Sequence, residues 1–181
     1  MATANTFEQI GSTVTVGAGS ASSIEFTSIP ATYTDLVIVG SLKGVGTGGG
    51  MSAGLVFNTA AADSAYKGMY GGGGTASAPA PFGDTAKTDI YFGEVINISS
   101  LSYFSNHIIY IPNYTVATSK TSVIQSVTEN NHVSTGIANF MSVGLCTKTA
   151  AITTITLRPF GGTGDNFKEY STASLYGILK Y

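Results

Sequence analysis

Charge is what this sequence has least of. Asp, Glu, Lys and Arg make up 10% of its 181 residues, against roughly 25% in an ordinary soluble domain. The net charge is −2, and no stripe of Lys or Arg exists to grip a phosphate backbone, which argues against nucleic-acid binding. Copies of such a chain repel one another weakly, so the composition suits a protein that works in an assembly. A single cysteine, Cys146, excludes an internal disulfide and a multi-cysteine zinc site. No apolar run approaches the roughly 20 residues of a membrane helix. The opening residues lack the basic and apolar regions of a secretion signal, which predicts folding in a cytoplasm. Helical periodicity is nearly absent.

What is present points to β-structure. Hydrophobic residues reach 43%, and the polar remainder is dominated by 24 Thr and 20 Ser. β-Branched and aromatic residues favour pleated, half-buried positions. Strand patterns recur every 10 to 15 residues or so, separated by Gly, Pro, Asn and Ser. In residues 23–27, Ile24 and Phe26 share one face and Glu25 and Thr27 the other. Residues 35–42 are apolar on both faces, as a central strand is. Residues 89–98, 106–111, 121–128, 137–146, 151–157 and 174–181 follow, with weaker patterns at 13–16, 54–58 and 65–70.

About ten strands without intervening helices predict an all-β chain. The expected fold is an antiparallel two-sheet β-sandwich of jelly-roll type, with a barrel as the alternative. One domain covers residues 13–181, and residues 1–12 form an N-terminal arm. Ile24, Phe26, Leu36, Ile38, Ile155, Leu157 and Leu175 are expected in the core. Residues 44–50 and 71–83 read as glycine-rich loops.

The motifs that could carry chemistry lack the context each one needs. Gly44-x-Gly46-x-x-Gly49 spells a dinucleotide fingerprint, but no helix follows to present its amides to pyrophosphate. Gly50-Met-Ser52-Ala-Gly54 spells a nucleophile elbow without the strand-turn-helix frame. His107 and His132 are far apart and no spacing joins them to Glu129 or Asp89 as metal ligands. Cys146 sits in an apolar stretch where a buried, inert thiol is expected. Asn97 and Asn113 begin glycosylation sequons that stay unmodified in a cytoplasm. No catalytic, cofactor or metal residue is therefore assigned. The ten tyrosines suit strand packing and contact surfaces alike.

Several phrases carry a resemblance. They are residues 24–36 (IEFTSIPATYTDL), 109–114 (IYIPNY), 129–131 (ENN), 149–157 (TAAITTITL) and 170–178 (YSTASLYGI). From about residue 10 onward the chain resembles a group of virion structural proteins of tailed bacteriophages, of the cyanophage and marine-phage type. That resemblance implies a jelly-roll, non-enzymatic virion protein. The first reading is a capsid decoration or cement protein on the outer capsid surface, partnered by the major capsid protein and by its own copies as a dimer or trimer. The alternative is a tail-fibre or receptor-binding module that contacts host glycans. Gripping is expected from the arm and the two glycine-rich loops. Phe7, Ile10, Met69, Tyr70 and Phe82 are the candidate apolar anchors.

Overall fold

The computed structural model describes residues 6–46, 50–59, 61–72, 79–97, 103–128, 138–160 and 164–179. Among these residues the protein is all-β, with fifteen strands and no helix. In chain order they are β1 (Phe7–Gln9), β2 (Val14–Thr15), β3 (Ser20–Ala21), β4 (Ile24–Phe26), β5 (Asp35–Leu42), β6 (Gly50–Phe57), β7 (Ser64–Gly72) and β8 (Ala80–Lys87). There follow β9 (Ile90–Ile96), β10 (Ser105–Ile111), β11 (Lys120–Thr128), β12 (Ala138–Cys146), β13 (Ile155–Pro159), β14 (Phe167–Lys168) and β15 (Thr172–Ile178).

The strands form antiparallel sheets. The largest has nine strands in the order β1-β15-β5-β10-β11-β12-β7-β8, with β2 also paired to β15. A four-stranded sheet has the order β4-β13-β6-β9, and β14 pairs with β3. The inner face of the large sheet is the one turned toward β9, which lies across β10, β11, β12 and β7. The core predicted from strand periodicity is in place: Ile24, Phe26, Leu36, Ile38, Ile155, Leu157 and Leu175 are all buried in one cluster. Full burial of each such side chain contributes about 1.5–3 kcal/mol.

Two segments read as irregular are strands instead. Residues 71–72 end β7 and residues 80–83 begin β8, so only 73–79 connect them. Weak strand propensity is overridden by cross-strand aromatic packing: Phe82 meets Tyr66, Tyr70, Tyr91 and Phe140 at ring-centroid distances of 5.3–6.4 Å. Pro81 is tolerated because β8 is the edge of the sheet. The other segment is the expected arm. Its residues Phe7–Gln9 pair with Ile178, Gly177 and Tyr176 as an edge strand. Ile10 then donates its backbone N–H to the Leu175 carbonyl at 2.8 Å and packs against the core.

Beside β11 the loop after β10 is held by an unusual group. Lys120 is buried, and its ammonium donates to the carbonyls of Val116 and Thr118 at 2.6 Å and of Thr149 at 3.1 Å. Burial lowers its pKa, but three charge-assisted hydrogen bonds offset that desolvation.

Candidate functional site

The large sheet changes character along its width. Around β15, β5 and β10, the inner row Leu175–Ile38–Ile109 is apolar and buried. Across β11 and β12 small residues, Ser122, Ser126, Ser142 and Gly144, share the inner face with Ile124, Phe140 and Cys146, while Val123, Val127, Met141, Val143 and Leu145 point outward. Hydroxyls and glycine suit the inner positions because β9 approaches very closely. A Cβ on Gly144 would lie 2.3 Å from Ile90 Cγ2, and one on Gly93 would lie 2.1 Å from Ser126 Oγ. Gly93 also has φ +118°, a conformation glycine alone adopts readily. Ser105 accepts the Ile96 N–H at 2.7 Å, and Thr128 and Ser142 donate to the carbonyls of Glu94 and Tyr91. These side-chain-to-backbone hydrogen bonds tie β9 to the sheet alongside the buried side chains of Ile124 and Phe140.

The consequence is an apolar outer face. Cross-strand register aligns Val39, Ile108, Gln125, Met141 and Met69 in one row, and Val37, Tyr110, Val123, Val143 and Lys67 in the next. Val39, Met69, Ile108, Val123, Val127, Met141, Val143 and Leu145 are 39–55% exposed. Among the described residues, the exposed charges on this face lie at its β7–β8 margin: Lys67, and Asp84, which pairs with Lys87 at 2.8 Å. Asp35 lies beneath its rim, buried, accepting from the Tyr110 hydroxyl and from the Asn113 N–H at 2.9 Å. Five strands about 4.8 Å apart, with three or four outward positions each, give a face of about 500–600 Å², on which Asn106, Thr121, Gln125 and Asn139 are interspersed among the apolar side chains. A monomer's largest apolar patch is about 300–600 Å² and is often functional.

A second feature lies on the inner side of the same strands. A cleft of about 630 Å³ is lined by Tyr66, Tyr70, Phe82, Tyr91, Phe140 and Phe160, with Ser52, Glu94, Gly72 and Gly83. Six rings pack edge to face, tilted or stacked, for example Tyr70 on Phe140 at 5.7 Å and Phe82 against Tyr91 at 5.3 Å. Burial raises the Glu94 carboxyl above its ordinary range. Burial, and then Glu94, push the Tyr91 hydroxyl well above 10. Ser52 makes a hydrogen bond with Tyr91.

The five candidate anchors part company. Met69 lies on the apolar outer face and Tyr70 and Phe82 line the cleft. Phe7 is exposed at the far margin of the sheet, stacked on Tyr176 at 4.8 Å. Ile10 is partly buried against the core. Tyr66, on the same strand as Tyr70, and Tyr91, Phe140 and Phe160, from three further segments, complete the cleft. Strand alternation could have shown Tyr66 sharing a face with Tyr70, but nothing local joins them to the other three.

The remaining motifs do not converge. His107 is buried on β10 beside the Phe92 ring, and burial lowers its pKa to about 3. His107 aligns through Ser126 with Phe140, six residues along β12 from Cys146, a separation of about 20 Å. Cys146 is buried, donates to Asp63 Oδ1 at 3.7 Å, and has a raised pKa from burial. Ser52 sits within strand β6 opposite Glu94, not in a strand-to-helix turn. Gly44 and Gly46 pack against Asn97. Gly49, Gly73, Gly74, Glu129 and His132 lie outside the described residues. No group of three His, Cys, Asp or Glu that could hold a metal exists among the described residues. Compared with known proteins, the chain matches no family model, no curated protein and no solved structure.

Proposed function

We propose that this chain is a non-enzymatic structural protein of a tailed-phage virion, a capsid decoration or cement protein that works as an oligomer on the outer capsid surface. The apolar outer face carries the reading. An area of about 500–600 Å² per copy is enough for a two-copy interface near the roughly 1,000 Å² total of a specific contact. The occupant is a second copy of the chain. A face whose few charges, Lys67 and the Asp84–Lys87 pair, sit at one margin meets itself with little repulsion. A two-fold axis through β11 sets the two Lys67 side chains at opposite margins, and such an isologous contact closes without growing filaments.

The strand order supports a jelly roll as the frame. Taken in chain order, the eight frame strands are β1 with β2, then β4, β5, β6, β9, β10, β13 and β15. One sheet contains the first, eighth, third and sixth of these as neighbours, and the other the second, seventh, fourth and fifth. Two interlocked Greek keys produce this order. The hairpins β7–β8 and β11–β12 are then insertions, and they meet where β12 pairs with β7. Together they form a platform that widens the first sheet and supplies most of the apolar face. Jelly rolls recur in viral capsid and lectin domains, an analogy of fold alone.

A density map of the intact virion tests the location. Density for this chain between neighbouring capsomers, with paired platforms, is the expected result. Density confined to the tail would move the protein to the receptor-binding alternative, and absence of the chain from purified virions would refute both.

A further inference from the structure

From the aromatic cleft between the platform and β6–β9, we propose that the protein has a binding site for a short, uncharged oligosaccharide. The cleft is separate from the apolar outer face: it opens on the opposite side of the same strands. Its lining combines the two features that sugars require. Tyr66, Tyr70, Phe82, Tyr91, Phe140 and Phe160 offer ring faces and edges on which the C–H surface of a pyranose stacks. Ser52, the tyrosine hydroxyls and the Glu94 carboxyl supply hydrogen-bonding groups of the kind that fix ligand orientation in concave sites.

The volume of about 630 Å³ falls within the 300–1,000 Å³ or so of small-molecule sites and exceeds the needs of a single small ion. The charge pattern narrows the class. Among the described residues no Lys or Arg lines the cleft, and Glu94 forms no ion pair. A sialylated or phosphorylated sugar would therefore bring a second negative charge to an uncompensated carboxylate. A neutral sugar hydroxyl donates to that carboxylate without this cost.

Tyr70 and Phe82 carry the stacking because both are reachable from solvent: Tyr70 is exposed and Phe82 half-buried, and both sit on the platform's outer strands, β7 and β8. Tyr91 and Phe140 form the floor beneath them.

The test is saturation-transfer NMR on the full chain with maltotriose, triacetylchitotriose, lactose, 3′-sialyllactose and tetramethylammonium, followed by calorimetry on any binder. The expected result is transfer to at least one neutral saccharide and none to sialyllactose. Tyr70→Ala and Phe82→Ala should each weaken that binding tenfold or more, equivalent to about 1.4 kcal/mol. Both variants should retain the wild-type far-ultraviolet spectrum. Glu94→Gln should allow binding of sialyllactose while preserving the neutral ligand to within a few-fold. Absence of transfer from all neutral saccharides overturns the proposal. So does neutral-saccharide binding that neither aromatic variant weakens. Binding of tetramethylammonium alone overturns it as well, and marks the cleft as an aromatic cage for cations.

Discussion

The two halves of the large sheet place their apolar residues differently. In the β15–β5–β10 half, Leu175, Ile38 and Ile109 face inward and are sealed. In the β11–β12 half, serine and glycine share the inner face with Ile124 and Phe140, and valine, leucine and methionine face water. Both halves satisfy strand periodicity equally well. They differ in what lies beneath them. The first half covers a hydrophobic core, where side chains set the spacing. The second half lies against β9, which leaves no room for a side chain at Gly144 and whose carbonyls accept from Thr128 and Ser142. Apolar residues displaced from that contact are left on the outer face, and burying them requires another molecule.

The sharpest way to break the comparison is to treat the halves alike. Ile38→Ala, in the first half, should cost about 2–5 kcal/mol through lost burial and a residual cavity, read by urea denaturation. Gly144→Ala, in the second half, adds one methyl where Ile90 already sits 2.3 Å from the new Cβ. Overpacking there should cost about 1–3 kcal/mol. If Gly144→Ala were neutral, the close approach of β9 would be refuted.

A pH series sharpens the picture at the seam between the halves. His107 is neutral in the fold, with a pKa of about 3, and titrates near 6.5 once unfolded. It takes up its proton only on unfolding. Its contribution is therefore complete above about pH 6.5 and falls by up to about 1.4 kcal/mol per pH unit as pH drops from there toward 3. Denaturation midpoints between pH 7 and 4 check this, and His107→Gln should flatten that part of the profile. An unchanged slope in the variant would assign the pH dependence to other groups. The smallest expected effect is on the outer face. Met141→Ser should change the stability of the isolated monomer by under about 0.5 kcal/mol, as surface substitutions do. A large loss there would mean the side chain is packed within its own chain.

Much of the frame was legible in the sequence, because central strands announce themselves. Residues 35–42 read as a strand over their full length, and the seven predicted core residues are buried. The inversion was not legible. Alternation in residues 121–128 shows that Val123, Gln125 and Val127 share a face, but not that this face is the outer one. The edge strand β8 was hidden by Pro79, Pro81 and Gly83, whose weak propensity is overruled by the rings around Phe82. The cleft was half visible: Tyr70 and Phe82 were picked out as contact residues, but as anchors on a loop. Their partners Tyr91, Phe140 and Phe160 come from distant segments that only the paired insertions β7–β8 and β11–β12 bring together. Buried Lys120 gave no sequence signal, since its role depends on three carbonyls from two separate segments.

On the proposed function, the outer face of β5, β10, β11, β12 and β7 is covered by a second copy of the chain. Light scattering coupled to size exclusion measures this directly, comparing the wild-type protein with the double variant Val123→Asp/Val143→Asp. The account predicts a closed oligomer for the wild type and a folded monomer for the variant, since like charges at the centre of the face repel across the two-fold axis. A wild-type protein that remains monomeric at micromolar concentration, or a variant that keeps its oligomeric mass, would contradict it.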